Sequence, residues 1–334
     1  MKNFRTEFNF KPCEHKLFHG KKILTMGSCF SEIIGDKLQA HKFSILKNPF
    51  GVIFNPASIF QLLSDSLLKK GINEALFLSR NNQYYHYEVH SKINASDKDS
   101  LSNTIGKIKN EVHHFLSESS HIFITFGTSF VYHHIKFQQT VANCHKQPQK
   151  LFQKKLMSLE DMIHSFDAFY YLLKALNPNL TIILTVSPVR HIKDGMLNNQ
   201  ISKSQLRLFC DLMEKDHQHV YYFPSYELMM DDLRDYRFYK EDMIHPNEMA
   251  ENYIWEKFQE TFFEENTLQI TKQIDKINKG MSHRPFNPYS SQYKSFLLSM
   301  ANSIRQLPDY LDFTSESEFI EDQIRAIESR LKSN

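Results

Sequence analysis

The chain has 334 residues and a formal net charge of +2, and no two of its nine glycines lie closer than seven positions. That spacing excludes the glycine-rich loops that bind dinucleotides or nucleoside triphosphates. The four cysteines form no Cys-x-x-Cys pair, which excludes a zinc ribbon and a thioredoxin-type motif.

Basic residues are spread along the sequence, which predicts no nucleic-acid-binding surface. The N-terminal segment carries Glu7 and has no continuous apolar run, so we expect no secretory signal. The most apolar stretches, 122–132 and 180–189, are too short to cross a bilayer. The histidines and cysteines lack the spacing of a zinc site. We therefore expect a cytoplasmic protein that uses no metal or cofactor and has no membrane span.

The first half of the chain alternates apolar β-prone runs with helical patterns. A β-prone run ends at Gly27, and Pro56 opens an amphipathic helix. Two further runs flank a short polar segment and predict a hairpin. In chain order we predict a strand at 22–26, helices at 31–39 and 56–70, hairpin strands at 76–78 and 84–89, a helix at 100–116 and a strand at 121–126.

The second half repeats this alternation. In chain order we predict a helix at 159–176, a strand at 180–186, a helix at 202–215, a strand at 220–223 and a helix at 247–263. Short apolar strands that alternate with helices are typical of a parallel sheet covered on both faces.

A change in composition near residue 265 predicts a domain of residues 1–264 and a helical C-terminal extension of residues 265–334. In the extension, 266–280 and 316–332 have the pattern of polar helices around a loop at 282–288. We expect these helices to pack on the domain or on a neighbouring subunit, which would give a homo-oligomer. A loosely attached arm is the alternative.

The first candidate for chemistry is Gly27-Ser28-Cys29, where a strand passes into a helix. In an open parallel sheet, ligands bind beyond the carboxyl ends of the strands. At a helix N-terminus, unpaired N–H groups and the helix dipole stabilise an anion, so we expect a lowered pKa for the Cys29 thiol. The same N–H groups could form part of an oxyanion hole. The alternative is that Cys29 is a small buried residue and Ser28 an ordinary helix cap.

The second candidate is Asp242-x-x-His245-Pro246. A carboxylate three residues before a histidine can accept the imidazole Nδ1–H, which leaves Nε2 as a general base. The alternative is a helix cap with a surface histidine. A third candidate segment, Asn143 to Lys146, could bind a substrate carboxylate or hydroxyl through Asn143 or His145, or could be a polar surface loop.

The combination of Gly27-Ser28-Cys29-Phe30-Ser31 with Asp242-x-x-His245-Pro246 resembles the GSCFA family, which looks like a branch of the SGNH (GDSL-type) hydrolase superfamily. Further segments that are similar to the family lie at 48–56, 125–128, 141–146, 187–191 and 232–239. The resemblance covers roughly residues 1 to 260. It implies an α/β fold, a three-layer flavodoxin-like sandwich with a central parallel sheet, followed by the helical extension.

The resemblance also implies roles for particular residues. Cys29 falls on the superfamily's nucleophile position, with Ser28 as the second candidate, while Asp242 and His245 fall on its closing Asp-x-x-His. Gly51 matches the glycine whose N–H serves the oxyanion hole. Ser129 stands where the superfamily has an oxyanion asparagine, so a donor is shortened or lost unless Ser129 itself or Asn143 replaces it.

These assignments predict an esterase or acyl hydrolase that acts on an acylated carbohydrate or a small polar ester. An O-acyltransferase that uses the same site is one alternative. A catalytically silent glycan-binding module is another, and the missing oxyanion asparagine favours it.

Overall fold

The computed structural model describes residues 7–8 and 10–332, with side chains up to Arg330. The expectation of no secretory signal concerns the N-terminal segment, most of which lies outside the described residues. The chain divides into two compact units. The larger unit takes residues up to 15, 22–36 and 45–262, and the smaller takes 16–21, 37–44 and the chain from 263 onward. The predicted boundary between residues 264 and 265 stays a prediction.

The strands form one five-stranded sheet, one two-stranded sheet and one three-stranded sheet. In chain order they are β1 (Lys22–Gly27), β2 (Ser44–Lys47), β3 (Phe77–Arg80), β4 (Gln83–His86), β5 (Ser119–Phe126), β6 (Phe130–His134), β7 (Gln139–Val141), β8 (Phe152–Leu156), β9 (Thr181–Val186) and β10 (Val220–Tyr222).

The helices separate and follow these strands. In chain order they are α1 (Cys29–Ala40), α2 (Pro56–Leu67), α3 (Lys98–Glu118), α4 (Leu159–Leu176), α5 (Met196–Asp216), α6 (Ser225–Glu227), α7 (Glu248–Phe262), α8 (Glu265–Met281), α9 (Ser291–Arg305) and α10 (Thr314–Lys332). Short 3-10 turns lie at Glu74–Leu76, Gln149–Leu151, Ile192–Asp194 and Tyr236–Phe238, and a π turn lies at Leu228–Asp232.

The central sheet has five strands in the order β10-β9-β5-β1-β2. The pairs β1–β5, β5–β9 and β9–β10 are parallel, with Met26 opposite Ile124 and Ile124 opposite Leu184. This is the flavodoxin-like strand order, in which the chain leaves β1 toward one edge and later returns on its other side. The predicted fold class is confirmed. The switch of direction lies between the ends of β1 and β5, where such sheets bind ligands.

Alternation along the strands divides the core between the two faces of the sheet. Ile122, Ile124 and Phe126 belong to the apolar core formed with α2, α3, α4 and α5. Phe123 points to the other face, where its ring lies 5.6 Å from that of Phe258 on α7. The side chains of β1 and β9 alternate between the two faces of the sheet in the same way. Both faces of the sheet are therefore covered, as the apolar strands predict.

Two small antiparallel groups accompany this sheet. The predicted hairpin is present as β3 and β4, and Asn81 and Asn82 at its turn have φ of 52° and 57°. Such values suit a type I′ turn, which asparagine tolerates. The three-stranded sheet β7-β6-β8 was not predicted, because its short strands carry many polar residues.

The smaller unit contains α8, α9 and α10, of which α9 was not predicted. A Cβ on Gly280 would lie 2.3 Å from Met300 Sδ, so the glycine permits the close approach of α8 and α9. Ile274 and Ile277 pack with Leu307 and Leu311, while Leu297 packs with helix α10. These largely polar helices therefore enclose a small apolar core. Within the described residues, no helix has the length and apolar character to cross a membrane.

Candidate active site

The segment after β2 crosses the carboxyl ends of β1 and β5. The Ile53 N–H donates to the Gly27 carbonyl at 2.9 Å, and the Gly127 N–H donates to the Phe54 carbonyl at 2.8 Å. A Cβ on Gly27 would lie 2.1 Å from the Thr125 carbonyl oxygen. Glycine is therefore required where this segment and the two strand ends come together. Residues 53–55 are fixed over the strand ends as a result.

Cys29 is the first residue of α1 and is half-buried. The first N–H groups of a helix have no intrahelical acceptor, so the backbone here offers donors beside the thiol. Burial nevertheless raises the pKa of the Cys29 thiol above its ordinary value, and the Glu32 carboxylate raises it further. This differs from the predicted lowering. A helix N-terminus alone would lower the pKa of the thiol, but burial and the Glu32 carboxylate outweigh it here.

Ser28 precedes Cys29 and is almost completely buried. Its backbone N–H donates to the Thr125 carbonyl at 3.0 Å, which ties the residue to the end of β5. Its Oγ accepts the Phe30 N–H at 3.4 Å, as a helix cap does.

Asp242 and His245 form a hydrogen-bonded pair on an exposed loop before α7. His245 Nδ1 lies 2.6 Å from Asp242 Oδ2, while the backbone N–H groups of Ile244 and His245 donate to Asp242 Oδ1, each at 2.9 Å. These backbone donors, with the imidazole, hold the pKa of Asp242 at about 2. The carboxylate is therefore ionised at neutral pH, and it orients the ring with Nε2 pointing away from it.

Further hydrogen bonds hold this loop in shape. The Lys240 N–H donates to the His245 carbonyl at 2.8 Å, and the Asn247 N–H donates to the Phe238 carbonyl at 2.9 Å. Met243, with φ of 58°, makes the sharp turn between Asp242 and His245. The backbone hydrogen bonds of this loop thus hold the exposed Asp242 and His245 in position.

A cavity of about 650 Å³ lies at the strand ends, and we call it the strand-end cavity. Cys29 and His245 both line it, as do Ser28 and Asn143. Asp242 lies behind His245 and does not line it. The remaining walls are partly aromatic and partly basic, and include Phe54, Phe130, Tyr132, Phe152, Lys146 and Arg190.

The two residues predicted for the oxyanion hole by resemblance lie elsewhere. The Gly51 N–H donates to the Asn48 carbonyl at 2.7 Å within a turn, so it already has an acceptor. Ser129 is fully buried, and its Oγ lies 3.1 Å from both Ser202 Oγ and Gln205 Oε1 on α5. Neither residue lines the strand-end cavity.

Asn143 and His145, the two residues predicted in the third segment, lie in different environments. Asn143 is half-buried in the cavity wall, and its Oδ1 accepts the His145 N–H at 2.8 Å. His145 is buried away from the cavity and donates from Nε2 to the His86 carbonyl at 2.8 Å. Burial lowers the pKa of His145 to about 4. His145 therefore has the environment of a neutral packing residue.

Asn55 also lines the strand-end cavity, although it was not among the predicted site residues. It caps α2, and its Oδ1 accepts the Ser58 N–H at 2.8 Å. This bond fixes the orientation of the amide and directs Nδ2 away from the helix. No acceptor within the described residues binds Nδ2, and Asn55 lines the same cavity as Ser28 and Cys29. The sequence signal was only an asparagine before a proline, within the segment 48–56 that resembles the family.

His191 also lines the cavity and was not selected. Its ring meets that of Phe54 edge-on, with 4.9 Å between the ring centroids, and a Cβ on Gly127 would lie 3.0 Å from its Nε2. Burial lowers the pKa of His191 to about 4, and Lys203 adds to the effect. His191 is therefore neutral near pH 7 and can exchange hydrogen bonds with a ligand.

The fold and the site define a flavodoxin-like α/β protein whose strand-end cavity holds a cysteine and an Asp-oriented histidine. A sequence model of the GSCFA family matches residues 22–258, and a second, for the C-terminal domain of GSCFA domain proteins, matches residues 274–326. The chain belongs to the GSCFA family. No curated protein matches the chain.

Similar solved structures include a Streptococcus pneumonia protein named for platelet activating factor, at 10% identity and a TM-score of 0.37, covering 71% of this chain and 83% of that one. A carbohydrate esterase family 3 protein from Talaromyces cellulolyticus has 8% identity and a TM-score of 0.35, covering 75% and 98%. An acetyl xylan esterase from Butyrivibrio proteoclasticus has 10% identity and a TM-score of 0.30, covering 79% and 65%.

Proposed function

We propose that the protein hydrolyses acyl esters, with Cys29 as nucleophile and His245 as general base and acid. The observation that carries the proposal is that both side chains line one cavity at the strand ends, while Asp242 holds His245 by its Nδ1. Asp242 acts as a positioning residue. The polar and aromatic walls suit a small polar ester or an acylated carbohydrate.

The raised pKa of Cys29 decides how the reaction begins. The resting thiol is protonated at neutral pH, so His245 Nε2 must take its proton as Sγ attacks the ester carbonyl carbon. The new C–S bond places a negative charge on the carbonyl oxygen. Collapse of this intermediate expels the alcohol, which takes the proton from His245. Water then attacks the thioester with His245 as base, which releases the acid and restores the thiol.

We assign the stabilisation of the oxyanion to two donors. One is the backbone N–H of Cys29 at the start of α1, and the other is Nδ2 of Asn55, which lines the cavity and whose Oδ1 caps α2. Asn55 thus takes the role that resemblance assigned to Gly51 and Ser129. One such donor contributes about 3 kcal/mol to the transition state.

Incubation with 4-nitrophenyl acetate and mass spectrometry of the protein test the proposal. We expect a burst of nitrophenol and an acetyl group on the Cys29 peptide, both absent in Cys29→Ala. Ser28→Ala is the matched control and should keep the burst. A burst that survives in Cys29→Ala and is lost in Ser28→Ala would assign the nucleophile to Ser28, and loss in neither variant would place the chemistry elsewhere.

The acyltransferase alternative uses the same acyl-enzyme and differs only in the second step. Adding a sugar alcohol as acceptor separates the two. Acetylated sugar formed faster than acetate would identify transfer, whereas unchanged acetate release supports hydrolysis.

A further inference from the structure

The strand-end cavity has an unbalanced charge. Lys146, Arg190 and Lys193 line it, and none of them pairs with a carboxylate of the described residues. Asp194 is the acidic residue among the described lining residues, and its carboxylate is bound by Lys154. The wall therefore presents positive charge that the protein itself does not neutralise.

Arg190 is the best-positioned of these cations. It is half-buried, its guanidinium lies 5.5 Å from the ring centroid of Tyr239, and its Nη2 donates to Met230 Sδ at 3.0 Å. A thioether is a weak acceptor, so most of the five guanidinium donors remain available. A hydrogen bond to the Tyr239 hydroxyl and the contact with the Met230 sulfur hold the guanidinium in place without neutralising its charge.

Nearby acids are occupied by other partners. Asp231 binds Arg234 at 2.8 Å, and Glu227 binds Arg207 at 3.1 Å. A partly buried cation without a counterion is costly, and a bound anion would remove the cost.

Resting on the proposed function, we propose that Arg190, with Lys146 and Lys193, binds an anionic group of the ester substrate. A guanidinium fork binds carboxylate and phosphate alike, each through paired hydrogen bonds. The substrate is thus an ester that carries an anion at some distance from the acyl group.

The strand positions give that distance. Cys29 follows β1 and Arg190 follows β9, and β5 lies between them. Two strand spacings correspond to about 10 Å between the strand ends. The aromatic side chains Phe54, Phe130 and Phe152 line the same cavity and can contact the apolar or ring-shaped body of such a molecule.

A pair of fluorogenic esters tests the proposal. The acetate of 7-hydroxycoumarin-3-carboxylic acid carries its carboxylate at the far end of the ring system from the ester, and the matched 3-carboxamide is neutral and of equal size. We expect kcat/KM to favour the acid by roughly 10- to 100-fold at low salt, through KM. The preference should shrink as ionic strength rises.

Arg190→Gln should remove most of this preference, measured as the ratio of kcat/KM for the acid to kcat/KM for the carboxamide. Arg190→Lys should keep a smaller preference, since it retains the charge without the fork. Arg234→Gln is the matched control, because it removes an exposed positive charge that does not line the cavity. Inhibition by inorganic phosphate or by acetate identifies which anion the subsite prefers.

The two proposals fail in different ways. Equal hydrolysis of acid and carboxamide by the unmodified protein would overturn the anion subsite and leave the esterase proposal intact. Absence of hydrolysis together with an unmodified Cys29 would overturn the esterase proposal. In that case, fluorescence anisotropy of 7-hydroxycoumarin-3-carboxylate decides the subsite: binding that Arg190→Gln abolishes supports it, and equal binding of the carboxamide overturns it.

Discussion

Two cavities of the larger unit differ in the state of their polar groups. The strand-end cavity, of about 650 Å³, is lined by Cys29 and by His245, whose Nε2 makes no hydrogen bond within the described residues. The second, of about 820 Å³, is lined by the buried acids Asp65 and Glu88, and we call it the side cavity. The larger volume belongs to the cavity that lies away from the strand ends.

The acids of the side cavity are mostly bound by neighbours. Asp65 accepts from Gln61 Nε2 at 2.8 Å, and Lys70 and Lys109 lie 3.5 and 3.7 Å from its carboxylate. Glu88 Oε1 accepts from Gln139 Nε2 at 3.2 Å. The larger of the two cavities is therefore not the better candidate for a functional site. The available base nitrogen and the position at the strand ends distinguish the first cavity.

The largest predicted effect is that of His245→Ala. Without the base, the protonated thiol of Cys29 cannot be activated, and we expect 4-nitrophenyl acetate turnover to fall by at least ~10³-fold. Stopped-flow acylation measures the loss. His133→Ala, in the wall of the side cavity, is the matched control and should keep full turnover. Equal losses in the two variants would erase the distinction between the cavities.

Asn55→Asp should have the next largest effect. Aspartate keeps the cap on Ser58 and removes the N–H donor, so acylation should fall by about 100-fold. Alkylation of Cys29 by iodoacetamide forms no oxyanion and should change far less. Asn55→Ser gives a second, neutral cap without the amide. If the stability changes while the ratio of acylation to alkylation does not, Asn55 serves the helix alone.

Glu32→Gln should produce a smaller, opposite change. The Glu32 carboxylate raises the pKa of the Cys29 thiol, so its removal lowers that pKa and increases the thiolate fraction at pH 7. We expect iodoacetamide to react about two- to threefold faster, with the pH profile shifted to lower pH. Asp36→Asn, one turn further along α1 and bound to Lys47, is the control and should leave the profile in place. A slower reaction in Glu32→Gln would contradict the electrostatic account.

The fold class could be predicted because each strand and helix carries its own apolar pattern, and the hydrogen bond between Asp242 and His245 because these residues are close in sequence. Apolar strands that end at Gly27 and Gly127 gave the sheet, and Asp242 and His245 are three residues apart. Asn55 could not be found in this way. Its position depends on the hydrogen bonds by which residues 53–55 cross two strand ends.

Two other differences arise from packing that the sequence does not display. The Ser129 hydroxyl binds α5, more than seventy residues away, and the Gly51 N–H closes a turn. The thiol pKa follows burial, which the helix position alone does not indicate. The α9 segment was missed although Leu297, Met300 and Ile304 are spaced by three and four residues, as in an amphipathic helix.

The smallest effect is expected in the side cavity and concerns stability. Burial raises the pKa of Glu88, so the folded state holds a proton that the unfolded chain has lost, and stability falls as the pH rises from the unfolded pKa through the folded one. Glu88→Gln removes this penalty and keeps an acceptor for Gln139. We expect Tm to rise by about 2 °C at pH 7, with the difference vanishing at pH values below the unfolded pKa, and ester turnover to stay unchanged. Asp65→Asn should lower Tm, because Lys109 would lose its nearest counterion. Calorimetry at several pH values measures both, and a fall in Tm for Glu88→Gln at pH 7 would show that its carboxylate contributes favourably beside Lys109.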